Sequence, residues 1–243
     1  MSNDRVLVIE HEAQCPPGWV GESLTEAGLR LDVRRPYRGD PLPDDLSEHG
    51  AVVVLGGSTD AYADDEHWWL APTKDLIRLA AERGTPTLGI CLGHQLCAVA
   101  LGGRVEKNLL GQQIGVLPLG WLPAAGDDDL FGSLTGDRVA VQWNSDIVRD
   151  LPDDAVVLAR TDRDEIQVVR FGPRIWGVQT HPEVDAAIVA EWAEHDRAAS
   201  AARGLDVDEY VAGIAAARTE LRASCHALAT RFAELSREVV ARW

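Results

Sequence analysis

Cys91 stands in Gly89-Ile90-Cys91-Leu92-Gly93, a G-x-C-x-G turn between an apolar run and a helical one. This is the thiol counterpart of the G-x-S-x-G elbow, in which a sharp turn lifts a nucleophile above a sheet edge and small neighbours leave it room. The helix that follows contributes positive potential, which favours thiolate over thiol. Thr180-His181-Pro182-Glu183 closes a second strand-like run. Pro182 steers His181 away from helical geometry, and residues two apart in an extended segment point to the same side. His181 and Glu183 can therefore pair, with the carboxylate fixing the imidazole tautomer and stabilising its charged form. Cysteine, histidine and glutamate together make a nucleophile, a base and an orienter for covalent attack on a carbonyl.

Each residue also has a plain structural reading. Cys91 could be a small core hydrophobe, and Glu183 could cap the helix that follows. Two complementary motifs, each at a strand end, weigh for chemistry. Cys15, Cys97 and Cys225 have no such frame, and Cys97 reads as core. His11, His67 and His226 have none either.

The positioning elements follow from pattern. Residues 5–9, 31–34, 51–55 and 87–90 are short apolar runs, with helical stretches at 22–27, 73–82 and 92–101 between or after them. That alternation predicts an α/β fold, a doubly wound and mostly parallel sheet with helices on both faces. Ligand sites in such sheets lie at the carboxyl ends of the strands. Residues 113–119, 138–143, 155–159, 165–171 and 174–180 read as further strands, and Gly172-Pro173 predicts a hairpin, so an antiparallel section joins the sheet. Residues 185–243 read as helical. Ile214, Leu221, Cys225, Leu228, Phe232, Leu235 and Val239 form an apolar stripe, suited to folding back on the domain or to a homodimer. The expected division is a domain over 1–195 and a C-terminal helical extension over 196–243.

The chain has 243 residues, 46% of them hydrophobic, which suits one α/β domain with an appendage. A net charge of −16 disfavours nucleic acid as a partner. The four cysteines show no C-x-x-C spacing, and no metal or cofactor is called for. No secretory leader and no membrane-length apolar run is evident, so a cytoplasmic protein with reduced thiols is expected. Trp68 and Trp69, just beyond Gly56-Gly57, either wall a pocket, touch a partner or cap the core.

Gly89-Ile90-Cys91-Leu92-Gly93-His94-Gln95 resembles the nucleophile motif of class I glutamine amidotransferases, and His181-Pro182-Glu183 resembles their second motif. The resemblance covers about residues 5–195 and is nearest to stand-alone, GMP-synthase-like members with a flavodoxin-like fold. It implies attack by Cys91 on the side-chain amide of glutamine, with His181 carrying the proton to the departing ammonia. Gly57 and Leu92 match the oxyanion-hole positions, where a backbone donor contributes about 3 kcal/mol. Gly56, Gln95 and Asn144 match substrate-binding positions. Asn144 stands where many relatives carry histidine, which bears on the native substrate.

No P-loop or other nucleotide-activating segment is evident. The resemblance thus implies a glutaminase that passes ammonia to a separate synthetase. The same triad would serve a γ-glutamyl peptidase or hydrolase, acting without a partner on a γ-glutamyl compound. A non-catalytic binding or regulatory module, or a redox protein with a cysteine elbow, fits the paired motifs less well.

Overall fold

The computed structural model describes residues 4–136 and 138–238. Its first half alternates strand and helix: β1 (Arg5–Ile9), α1 (Gly18–Glu26), β2 (Arg30–Arg34), β3 (Ala51–Val54), α2 (Leu70–Arg83), β4 (Thr87–Ile90) and α3 (Leu92–Ala100). The second half is strand-rich: β5 (Arg104–Lys107), β6 (Gln113–Pro118), β7 (Gly120–Trp121), β8 (Val139–Asn144), β9 (Asp146–Asp150), β10 (Val156–Arg160), β11 (Ile166–Gly172) and β12 (Ile175–Val178). Three helices close the described chain: α4 (Ala186–Ala201), α5 (Val207–Ala216) and α6 (Arg218–Glu238).

Eight strands form one sheet in the order β2-β1-β3-β4-β12-β11-β10-β7. The five from β2 to β12 are parallel neighbours, and the rest are antiparallel. The fold is thus the expected α/β sheet with an antiparallel section. Strands β3, β4 and β12 carry no exposed position, because a parallel sheet is covered on both faces. The hairpin at Gly172-Pro173 joins β11 to β12 and returns the chain beside β4.

The sequence pattern placed some boundaries late. Helix α1 begins at Gly18 and α2 at Leu70, not at 22 and 73. Neither start has a side-chain cap; Trp19 and Leu70 are buried there, so packing defines these first turns. Strands β5, β7 and β9 add to the expected set. Two of them, RVEK and DIVRD, pair only with each other and are too charged to stand out as apolar runs.

The C-terminal stripe folds back on its own domain. Ile214, Leu221, Cys225, Leu228, Phe232 and Leu235 are buried in one core with Trp19, Leu24 and Val141, while Val239 lies outside the described residues. Burying side chains such as Leu228 and Phe232 contributes about 2 kcal/mol each. Helix α4 runs through residue 195 without a break, so the boundary expected there falls within a helix. No helix among the described residues is long and apolar enough to cross a membrane.

Candidate active site

Three adjacent parallel strands deliver the expected site residues to one sheet edge. Gly89 lies opposite Val54 of β3 and Gly177 of β12, and Ile90 lies opposite Val178. The residues just past those strand ends are Gly56-Gly57, Cys91 and Gln179 to Glu183. Position in the sheet alone thus gathers segments far apart in sequence, at the end where such sheets bind ligands.

Cys91 has φ 50° and ψ −105°, in a region that a residue with a side chain enters only under constraint. The constraints are visible. The Cys91 N–H donates to the Val178 carbonyl at 2.8 Å, and the Gly93 N–H donates to that of Leu55 at 3.2 Å. A Cβ on Gly93 would lie 2.0 Å from the Val54 carbonyl oxygen, and one on Gly89 would lie 2.5 Å from that of Gly93. Both glycines of the motif are needed for α3 to press against β3 and β4.

His181 is anchored by its N–H to the Val141 carbonyl at 2.8 Å. Its Nδ1 pairs with Glu183 Oε1 at 2.7 Å, both side chains being buried. The Trp19 N–H donates to the Glu183 carbonyl at 2.8 Å, which fixes the carboxylate's backbone. Asp185, not Glu183, caps α4, accepting from the N–H groups of Ala187 and Ile188, so Glu183 is left to the imidazole. Burial pulls the His181 imidazolium down, but the charges of Glu183 and Cys91 outweigh it and push the group up to about 10. With Nδ1 engaged, Nε2 is the nitrogen left to exchange a proton.

Gly56 lies between the Cys91 and His181 side chains. A Cβ there would sit 3.2 Å from His181 Cε1 and 3.6 Å from Cys91 Cβ. Gly57 packs against Leu92, whose N–H, first in α3, has no intrahelical acceptor. Cys91, His181 and Gly57 open into one cleft of about 530 Å³, with Cys15, Trp143 and Trp192 also on its walls.

Gln95 and Asn144 lie behind Cys91 and outside that lining. Gln95 Nε2 donates to the Asp146 carbonyl at 3.2 Å and to Gln179 Oε1 at 3.3 Å. Gln179 Nε2 in turn donates to Cys91 Sγ at 3.6 Å. Asn144 Nδ2 donates to Gln113 Oε1 and the Asp146 carbonyl, and Gln113 Nε2 donates to Glu165 at 2.7 Å. A buried amide network thus backs Cys91.

The sequence profile of the glutamine amidotransferase class-I family matches residues 19–188. The chain belongs to the class-I glutamine amidotransferases. Gamma-glutamyl peptidase 5 of Arabidopsis thaliana is 29% identical over 169 residues, 68% of this chain and 66% of that protein; the chain thus spans just under two thirds of that relative. A glutamine-hydrolysing GMP synthase component of Methanopyrus kandleri is 34% identical over 58% of this chain and 71% of its own. A glutamine amidotransferase crystal structure from Thermotoga maritima superposes with a TM-score of 0.84 at 26% identity, covering 95% of this chain and 98% of its own. That likeness takes in the C-terminal helices of this amidotransferase as well as the sheet.

Two residues at the site escape a reading by motif. Gln179 touches Cys91, and its signal was a polar residue closing an apolar strand. Cys15 borders the cleft, and burial together with Glu12 raises its thiol well above the usual range. Nothing in the sequence around it marks it. Cys97 is a core thiol, pushed up to about 12 by burial. Trp69 caps the core and donates to His11 Nδ1 at 3.1 Å, while Trp68 stays exposed.

Proposed function

We propose that this amidotransferase cleaves the amide of a γ-glutamyl compound, glutamine being the simplest, through a thioester on Cys91. His181 holds the thiol's proton on Nε2 as Cys91 Sγ bonds to the amide carbon. The carbonyl oxygen gathers negative charge beside the N–H groups of Gly57 and Leu92. The C–N bond then breaks, and His181 gives its proton to the departing nitrogen. Water, deprotonated by His181, attacks the thioester; the S–C bond breaks, and glutamate leaves with the thiol restored. Gln95 and Asn144 act on the substrate indirectly, through Gln179 and Gln113.

The observation that carries this reading is the buried His181–Glu183 pair beside a cysteine held at positive φ. The test is ammonia release from glutamine and from γ-glutamyl amides by the purified chain. Cys91→Ala should lower kcat by at least about 10⁴-fold while the melting temperature holds. Retained activity in that variant would overturn the assignment.

Two leaving groups suit the same machinery. The name of the Methanopyrus relative favours ammonia passed to a separate synthetase. The cleft favours something larger than ammonia, because about 530 Å³ is ample for a whole small-molecule ligand and glutamine would fill only part of it.

A further inference from the structure

His181 fixes the direction in which a leaving group departs. The carbonyl oxygen must face Gly57 and Leu92, and the nitrogen must face the imidazole that protonates it. The His181 ring leans on Trp192 of α4, with centroids 4.7 Å apart. Trp192 and α4 are thus the part of the cleft wall beside that nitrogen.

That wall has a distinct chemistry. Trp192 and Trp143 stand 6.2 Å apart between centroids, two indole rings on one side of the cleft. Glu191, Glu194 and Asp196 of α4 line the cleft too, as does Glu12. Trp143 Nε1 donates to one oxygen of Asp196 at 2.9 Å, which holds the carboxylate in place. Glu194 is answered by Arg197 at 2.8 Å. The basic groups on the cleft lining are His181, whose charge Glu183 answers, and His195; no lysine or arginine lines it, and among the described residues none pairs with Glu12, Glu191 or Asp196. Carboxylates and indole rings on one wall attract a cation and repel an anion, and the chain's net charge of −16 adds to that bias.

We infer that the cleft selects γ-glutamyl amides whose leaving amine carries a second, positively charged amino group, such as a γ-glutamyl diamine. This rests on the thioester reading above. The reaction balances with water alone: the amide C–N bond breaks, the diamine leaves protonated by way of His181, and hydrolysis of the thioester yields glutamate. Trp192, Glu191 and Asp196 act here as specificity residues on the leaving amine.

The test uses the full chain and three amides of similar length: γ-glutamylputrescine, γ-glutamyl-n-butylamine and γ-glutamyl-γ-aminobutyrate, with cationic, neutral and anionic tails. The cationic amide should lead the neutral one by about tenfold in kcat/KM, with the anionic one last. Added salt should narrow the gap. Glu191→Gln with Asp196→Asn should bring cationic and neutral amides to within about twofold, whereas Glu220→Gln, an exposed acid of α6, should leave the ratio alone. Parity of the three amides in the unaltered chain, or an anionic preference, overturns the inference while Cys91-dependent cleavage stands. Cleavage of glutamine alone does the same. Absence of Cys91-dependent cleavage of any compound overturns both readings.

Discussion

His94 and His181 both sit close to Cys91 and both are buried, in surroundings of opposite effect. His94 follows Cys91 in α3, against Gly177 and the Phe171 ring, with ring centroids 5.2 Å apart. Neither of its ring nitrogens has a well-formed partner. Burial drives it down to about 3, so it is neutral packing. His181 is as buried, yet Glu183 and Cys91 hold its proton up to about 10. Burial sets the cost of a charge, and the neighbouring carboxylate decides whether the charge is kept.

The sharpest way to break that comparison is to remove the carboxylate. Glu183→Gln should lower kcat by about 10²- to 10⁴-fold, since the base loses both orientation and charge support. It should also move the alkaline limb of the pH–rate profile downward. A raised native value means that the His181 proton stabilises the fold fully below about 6.5, a contribution lost as pH rises through about 10. Thermal melts across that interval should fall less steeply in the variant than in the parent. An unmoved alkaline limb would mean that Glu183 does not set the His181 proton affinity.

Gln179 tests the polar side of the nucleophile. Gln179→Met removes its hydrogen bond to Cys91 Sγ and should cost about tenfold in kcat, in line with one buried hydrogen bond. Alkylation kinetics of Cys91, read beside the melting temperature, separate an effect on the thiol from a loss of fold. The smallest change belongs to His94. His94→Leu should leave kcat within about threefold and stability within about 1.5 kcal/mol, as a volume-conserving core swap. A large loss of activity with an unchanged melting temperature would show that the ring does more than fill space.

The elbow, the His181-Pro182-Glu183 motif and the parallel half of the sheet were legible because each is local. A turn needs its glycines within two residues, and a strand declares itself by its own apolar run. The amide network was not legible, since Gln95, Gln113, Asn144 and Gln179 meet only across elements distant in sequence. Glu191, Trp192 and Asp196 read as the wet face of an ordinary helix until α4 is seen against His181. Cys15 lies in a loop without pattern, and only the fold brings it beside the cleft. The apolar stripe was visible in sequence, but what covered it was decided by α1 and β8.

Helix α4 begins three residues after Glu183 and carries the outer wall of the cleft on its next turns. The reacting group and the selecting surface are therefore consecutive in the chain yet built on different supports, one on a rigid strand end and one on a solvated helix. On the reading proposed for the cleft, substitutions at Glu191 and Asp196 retune which amine is released without disturbing the sheet. A library confined to Glu191, Trp192, His195 and Asp196 would be a compact means of steering this scaffold toward new amides.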